Sequence, residues 1–259
     1  MNALLIALSL LAQEKVLLKH QPKAGDKAVV TEKMEAKIHL VVNAGGQKVE
    51  LDVEQRESKR TAMACLAVDG AAMMKATYQV EEAYEEKKQP GAADFERADK
   101  PTKGKTVVAE RKEGKIVYQG AEGLTEKDLK DFDLDDTFAQ SFPQDPVAVG
   151  ATWEVPAETL KKMFHDPTSE GKMTLTLKEV KDVDGRRCAV LDAAMQMKGK
   201  AEEGVDISMD VKGPIVIWLE RGYTLSAKLT GTMGLKANTA EAMMEGKGPM
   251  TVEVSAKFQ

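Results

Sequence analysis

The chain has 259 residues, 42% of them apolar and 31% charged, with a net charge of −5. This composition excludes a disordered chain and leaves room for one large or two small globular domains. The negative balance speaks against a nucleic-acid partner, which needs a basic face for phosphates.

The first residues, Met1 to Gln13, carry an apolar run too short to span a membrane. The run has the form of a secretion signal, 1–12, cut after Ala12, which places the mature protein in the periplasm or outside the cell. The opposing reading keeps it as an apolar first helix or strand, because no Lys or Arg precedes it and Leu10 is large two places before the cut. No cysteine follows the run, so it offers no lipid anchor and no transmembrane segment is expected.

Gly25-Asp26 then marks a turn. Ile38, Leu40 and Val42 alternate with Lys37, His39 and Val41 up to Asn43-Ala44-Gly45-Gly46, and Val49, Leu51 and Val53 alternate with charged residues after it. Period two on both sides of a glycine turn reads as a hairpin. A second hairpin is expected around Asp69-Gly70 and a third around Glu113-Gly114. Between them, from Glu81 to Lys105, the pattern fails; Glu81 to Lys88 reads as a charged strand end or a short exposed helix, and Gln89-Pro90-Gly91 as a loop.

Thr125-Glu126-Lys127-Asp128 caps a short acidic helix. Asp131, Asp133 and Asp135 fall at the first, third and fifth places of a calcium loop. Asp136 stands where glycine is needed and Phe142 where a bidentate Glu belongs, so the reading is an acidic surface segment. The stretch Ser141 to Pro156 follows. Pro143 and Pro146 fix the backbone, Gly150 permits a tight bend, and Trp153 starts a strand by burying its ring. Pro156 opens a short helix to Phe164.

The rest alternates cleanly. Met173, Leu175 and Leu177 precede an Asp184-Gly185 turn; Leu191, Ala193, Met195 and Met197 follow it; then come Val205, Ile207, Met209 and Val211, the apolar Ile215 to Leu219, Tyr223 to Leu229, and Met250 to Phe258. The fold class is therefore mainly β: a large curved antiparallel sheet, half-barrel-like, built from hairpins, with one or two short helices packed on it. Residues 13–259 read as a single β-rich domain. A further reading is an internal duplication into two similar halves, about 16–120 and 141–259, joined by the acidic helical segment, since each is opened by a glycine that follows a proline.

The phrase Phe142-Pro143-x-x-Pro146-Val147-x-Val149-Gly150-x-x-Trp153, with Leu18 and Gly25-Asp26 upstream, resembles a family of uncharacterised exported bacterial proteins, a domain of unknown function. The resemblance covers most of residues 16 to 235 and implies strand-rich halves with no known activity. Ala151 stands where the family carries an acidic residue. Such sheets are also similar to the half-barrels of lipoprotein carriers and of mycobacterial lipid-binding lipoproteins, a likeness of fold only.

Signatures of chemistry are missing. The sequence has no nucleophile elbow, phosphate loop, dinucleotide fingerprint or zinc-protease motif, and its three histidines, His20, His39 and His165, lie far apart. No catalytic residue, metal ligand or cofactor is expected. Cys65 and Cys188 match no zinc or redox spacing and are left as one disulfide or two buried thiols. Met173, Met195, Met197 and Met209 lie on apolar strand faces and suit an adaptable groove for a lipid or other apolar ligand. The alternative is a structural or partner-binding envelope protein whose methionines only fill a solid core. A hydrolase is the third reading, to be revived by a pocket holding two close carboxylates or a His–carboxylate pair. No protein partner is identifiable.

Overall fold

The computed structural model describes residues 15–136, 138–163, 168–200, 204–238 and 242–259. The expected secretion signal, 1–12, and His165 fall outside the described residues.

The strands are β1 (Lys15–Val16), β2 (Lys27–Ala44), β3 (Gln47–Asp69), β4 (Ala72–Lys88), β5 (Glu96–Asp99), β6 (Thr106–Lys112) and β7 (Lys115–Gln119), then β8 (Val147–Ala148), β9 (Thr152–Glu154), β10 (Glu170–Val183), β11 (Arg186–Lys200), β12 (Asp206–Trp218), β13 (Tyr223–Asn238) and β14 (Ala242–Phe258). Two short helices lie between the sets: α1 (Glu126–Leu129) and α2 (Ala157–Met163). The charged run to Lys88 is the end of β4, so of the two readings left open there the strand end is found. At α1, Thr125 and Asp128 form a reciprocal capping box.

Twelve strands build one antiparallel sheet in the order β7-β6-β4-β3-β2-β14-β13-β12-β11-β10-β9, with β5 beside β4. The hairpin turns behave as their residues demand: at 184–185 both Asp184 and Gly185 have positive φ, the twist that suits a two-residue hairpin. The link between the two sets of hairpins is the last strand: β14 pairs with β2 from Ala242↔Ala44 to Phe258↔Ala28. The sheet is curved but not closed, as a half-barrel is.

Gly25 and Gly150 do the same work at the two entrances. Their φ values are 94° and 89°. Gly25 N–H donates to the Cys65 carbonyl while Cys65 N–H donates back to Asp26, both at 2.8 Å. Gly150 N–H donates to Leu177 at 2.7 Å, and Leu177 N–H donates back to Ala151 at 2.9 Å. In each case a left-handed residue hooks the incoming chain onto a strand of the next hairpin.

Because β7 and β9 form opposite edges, the chain between them crosses one face of the sheet, here called the inner face. Phe132 and Leu134 seal one core over Tyr78, Val80, Val107 and Ala109. Leu160 of α2, with Phe138 and Phe142, packs on a second core of Met173, Leu175, Leu191 and Ile217. Fully buried side chains such as these contribute about 1.5–3 kcal/mol each.

The disulfide is not found. Both cysteines are free buried thiols, so the second of the two sequence alternatives holds. Cys65 lies in β3 and Cys188 in β11, with β2, β14, β13 and β12 between them. A bridge needs Cα atoms within about 7 Å.

Candidate functional site: the uncovered inner face

Strand register decides which residues share a face, since paired residues project to the same side. Met173 pairs Met195, and Met195 pairs Val211; Met197 pairs Met209, and Met209 pairs Met233. All four methionines singled out by sequence therefore lie on the inner face, in adjoining rows. Their surroundings differ. Met173, Met195 and Met197 are buried in the α2 core, at 2%, 7% and 4% exposure, and Met209 is half-buried. A cavity of about 150 Å³ opens beside Met197 and Met209, bounded also by Ser169, Gly199 and Ile207. That is below the range of about 300–1,000 Å³ usual for a small-molecule site.

The second core continues across β13, β14 and β2 as a half-buried apolar margin around the buried Ala36, Ile38 and Met250. Leu229 pairs Val252, and Val252 pairs Met34. Toward the hairpin tips, Ile207 pairs Leu235, and Leu40 pairs Leu51. These side chains continue the same inner-face rows yet remain half-buried. From Leu229 to Leu235 this floor runs for about 20 Å and spans about 14 Å across β12, β13, β14 and β2. This half-buried margin of the second core is an apolar surface that the covering segments leave partly open. The alternation of each strand signalled these residues. What the sequence could not signal was which part of the face α2 and the crossing segment would cover.

The opposite face is polar. One residue out of phase, Lys172 pairs Gln196, Gln196 pairs Asp210, and Asp210 pairs Thr232. They line a hollow of about 520 Å³ with Lys198 and Lys247. A second hollow of about 550 Å³ adjoins it and shares Glu170, Lys198 and Ser208. These are the larger cavities, and their walls mix exposed charged side chains with apolar ones, Met197 and Met209 in the first and Ile207 and Leu235 in the second.

The acidic segment is fully engaged. Lys59 pairs Asp131 at 3.0 Å, Arg111 pairs Asp135 at 2.7 Å, and the Tyr78 hydroxyl donates to the Asp133 carbonyl at 2.6 Å. Burial, then the Asp133 charge, pushes the Tyr78 phenol far above its usual range. Among the described residues no group of three or more His, Cys, Asp or Glu could hold a metal. Two histidine–carboxylate pairs do exist. His39 sits exposed between Asp52 at 2.9 Å and Glu50 at 3.6 Å. His20 Nδ1 faces Asp136 at 3.4 Å beneath the crossing segment, with its ring edge-on to Tyr223.

The residues expected to be structural are placed as follows. Pro143 is half-buried and Pro146 exposed, ahead of β8, which pairs with β1. Asp26 Oδ2 accepts from the Lys23 N–H at 2.8 Å, closing the first turn. Trp153 lies in β9 opposite Leu175, and its Nε1–H donates to the Ser141 carbonyl at 2.9 Å. The ring is half-buried rather than largely buried, because β9 is the edge of the sheet.

No family model matches the chain, and no curated protein matches it. Among solved structures it is similar to lipovitellin, from a study of lipid–protein interactions in that protein, at 10% identity and a TM-score of 0.49 over 92% of this chain and 26% of that one. It is also similar to DynF of the dynemicin biosynthesis pathway of Micromonospora chersina (8% identity, TM-score 0.22, 93% of this chain and 84% of that one). A DUF1329 family protein from Desulfovibrio piger is a further match, at 9% identity and a TM-score of 0.15 over 88% of this chain and 85% of that one. The chain spans about a quarter of the length of the lipovitellin chain it matches. At these similarities no property passes from those proteins to this one.

Proposed function

We propose that the protein is an exported, non-enzymatic carrier that holds an apolar ligand of the acyl-chain class on the uncovered inner face of its half-barrel. The observation that supports this is the half-buried ladder Leu229–Val252–Met34, with Met209–Met233 and Ile207–Leu235 beside it, at the partly open margin of the second core. Each methylene buried on such a floor contributes about 0.8 kcal/mol, so a long chain offsets the cost of association where a short one does not. The half-buried methionines Met34, Met209 and Met233 let the floor adapt to chains of different shape. The histidine–carboxylate pairs fit this reading: His39 lies on the solvated face and His20 fastens the crossing segment.

A second reading has its own support. Met173, Met195 and Met197 are packed, and the cavity beside them is small, as in a structural envelope protein with a solid core. Extraction of the purified protein with organic solvent, followed by mass spectrometry, separates the two. The carrier reading expects a lipid near one per chain, or fluorescence gain with a dansyl-labelled fatty acid when the extract is empty. Absence of both leaves the solid-core reading.

A further inference from the structure

The chain crosses the inner face after the Phe132 core, and four separate parts of the molecule hold its residues 131–136. Lys59 of β3 holds Asp131, Tyr78 of β4 holds the Asp133 carbonyl, Arg111 of β6 holds Asp135, and His20 of the N-terminal segment faces Asp136. Lysine, arginine and a buried tyrosine keep their protons throughout the neutral range. Histidine is the side chain that changes charge between about pH 5 and 8.

His20 and Asp136 are enclosed, their side chains 13% and 26% exposed. The imidazole stands edge-on to Tyr223 of β13 at 5.0 Å, and Tyr223 stacks on Phe258 of β14 at 4.8 Å. The other charged and titratable groups of this cluster are Asp26, Cys65 and Arg221. Arg221 already faces Asp26 at 3.6 Å, and Lys23, on the same segment as His20, faces Glu220 at 3.9 Å. The Asp136 carboxylate accepts from the Ala139 N–H at 3.0 Å, and the side chain that answers its charge is His20. Neither ring nitrogen of His20 has a hydrogen-bond partner of its own.

We propose that the His20–Asp136 contact is a proton-operated fastening of the crossing segment, engaged at mildly acidic pH and released as pH rises above neutrality. Protonation gives the imidazole the charge that faces the Asp136 carboxylate. Its loss leaves that carboxylate enclosed without a counter-charge, while the other three holds persist. Burial pushes the Asp136 carboxyl up and the His20 charge pulls it back, so in stronger acid the carboxylate is itself neutralised and the fastening fails again. The proposal does not depend on what the inner face binds.

Hydrogen–deuterium exchange of the full chain tests it, with peptides covering 126–136 and, as internal reference, peptides of β11 and β12. After correction for the intrinsic pH dependence of exchange, relative protection of 126–136 should fall severalfold, roughly threefold or more, between about pH 5.5 and 8, the range over which histidine changes charge. His20→Gln, neutral throughout, should be flat and low across the range, as should Asp136→Asn. Wild-type protection that does not change with pH, or His20→Gln that keeps the wild-type dependence, would overturn the proposal. Should either variant not fold, the wild-type profile decides alone, because the reference strands separate local release from global unfolding.

Discussion

Replacing Trp153 tests how the second set of strands is entered. The indole packs on the core beneath α2 and opposite Leu175. An indole of about 200 Å² that buries roughly two-thirds of its area removes about 130 Å² from water, worth about 3 kcal/mol at 25 cal/mol per Å². The Nε1–H bond to the Ser141 carbonyl adds about 1 kcal/mol. Trp153→Ala should therefore cost about 4 kcal/mol, a large share of the 5–15 kcal/mol that holds a domain of about this size. Trp153→Phe keeps most of the ring but strands the carbonyl of Ser141, a residue only 2% exposed, and should cost about 1–2 kcal/mol. Urea unfolding followed by circular dichroism reads both, provided the slope is unchanged between variants. An alanine variant with the wild-type midpoint would show that the ring is not part of the fold's support. A phenylalanine variant as unstable as alanine would show that the hydrogen bond, not ring burial, dominates.

A Cβ on Gly248 would stand 1.7 Å from the Lys37 carbonyl oxygen across the β14–β2 pair, so Gly248→Ala should destabilise the junction of the two strand sets by more than about 2 kcal/mol in a thermal scan; a wild-type Tm would mean the strands part there easily. Thiol titration should find two free thiols on unfolding without reductant, and added reductant should leave the urea midpoint where it was. Burial raises the phenols of Tyr78, Tyr118 and Tyr223, so stability should be present below pH of about 10 and fall above it as the unfolded chain ionises first; absorbance at alkaline pH should show delayed tyrosine titration, and titration of all phenols in the ordinary range would contradict the packing described.

Much of the fold was legible because hairpins are local. The turns at 45–46, 113–114 and 184–185 and the alternation around Met195 and Val252 need no knowledge of the rest of the chain. The pairing of β14 with β2 was not legible, because it joins the last strand to the first long one and no spacing announces it. The same non-local step hid the site. Met195 and Met34 look alike in sequence, each alternating with polar neighbours, yet α2 and Phe142 seal the first while the second is left half-open. The acidic residues Asp131, Asp133 and Asp135 read as a solvated face because their partners Lys59, Tyr78 and Arg111 come from three distant strands. His20 looked isolated for the same reason, with Asp136 far along the chain.

The carrier reading is tested most directly by photo-crosslinking with a fatty acid that bears a diazirine near its methyl end. Peptides should then be mapped by mass spectrometry. Adducts are expected on the inner-face peptides containing Met34, Met209, Leu229 and Met233, competed away by unlabelled fatty acid. Those adducts should be lost in Leu229→Glu, with the far-ultraviolet spectrum unchanged. Adducts scattered over the Lys172, Lys198 and Lys247 face, or none above background, would contradict it.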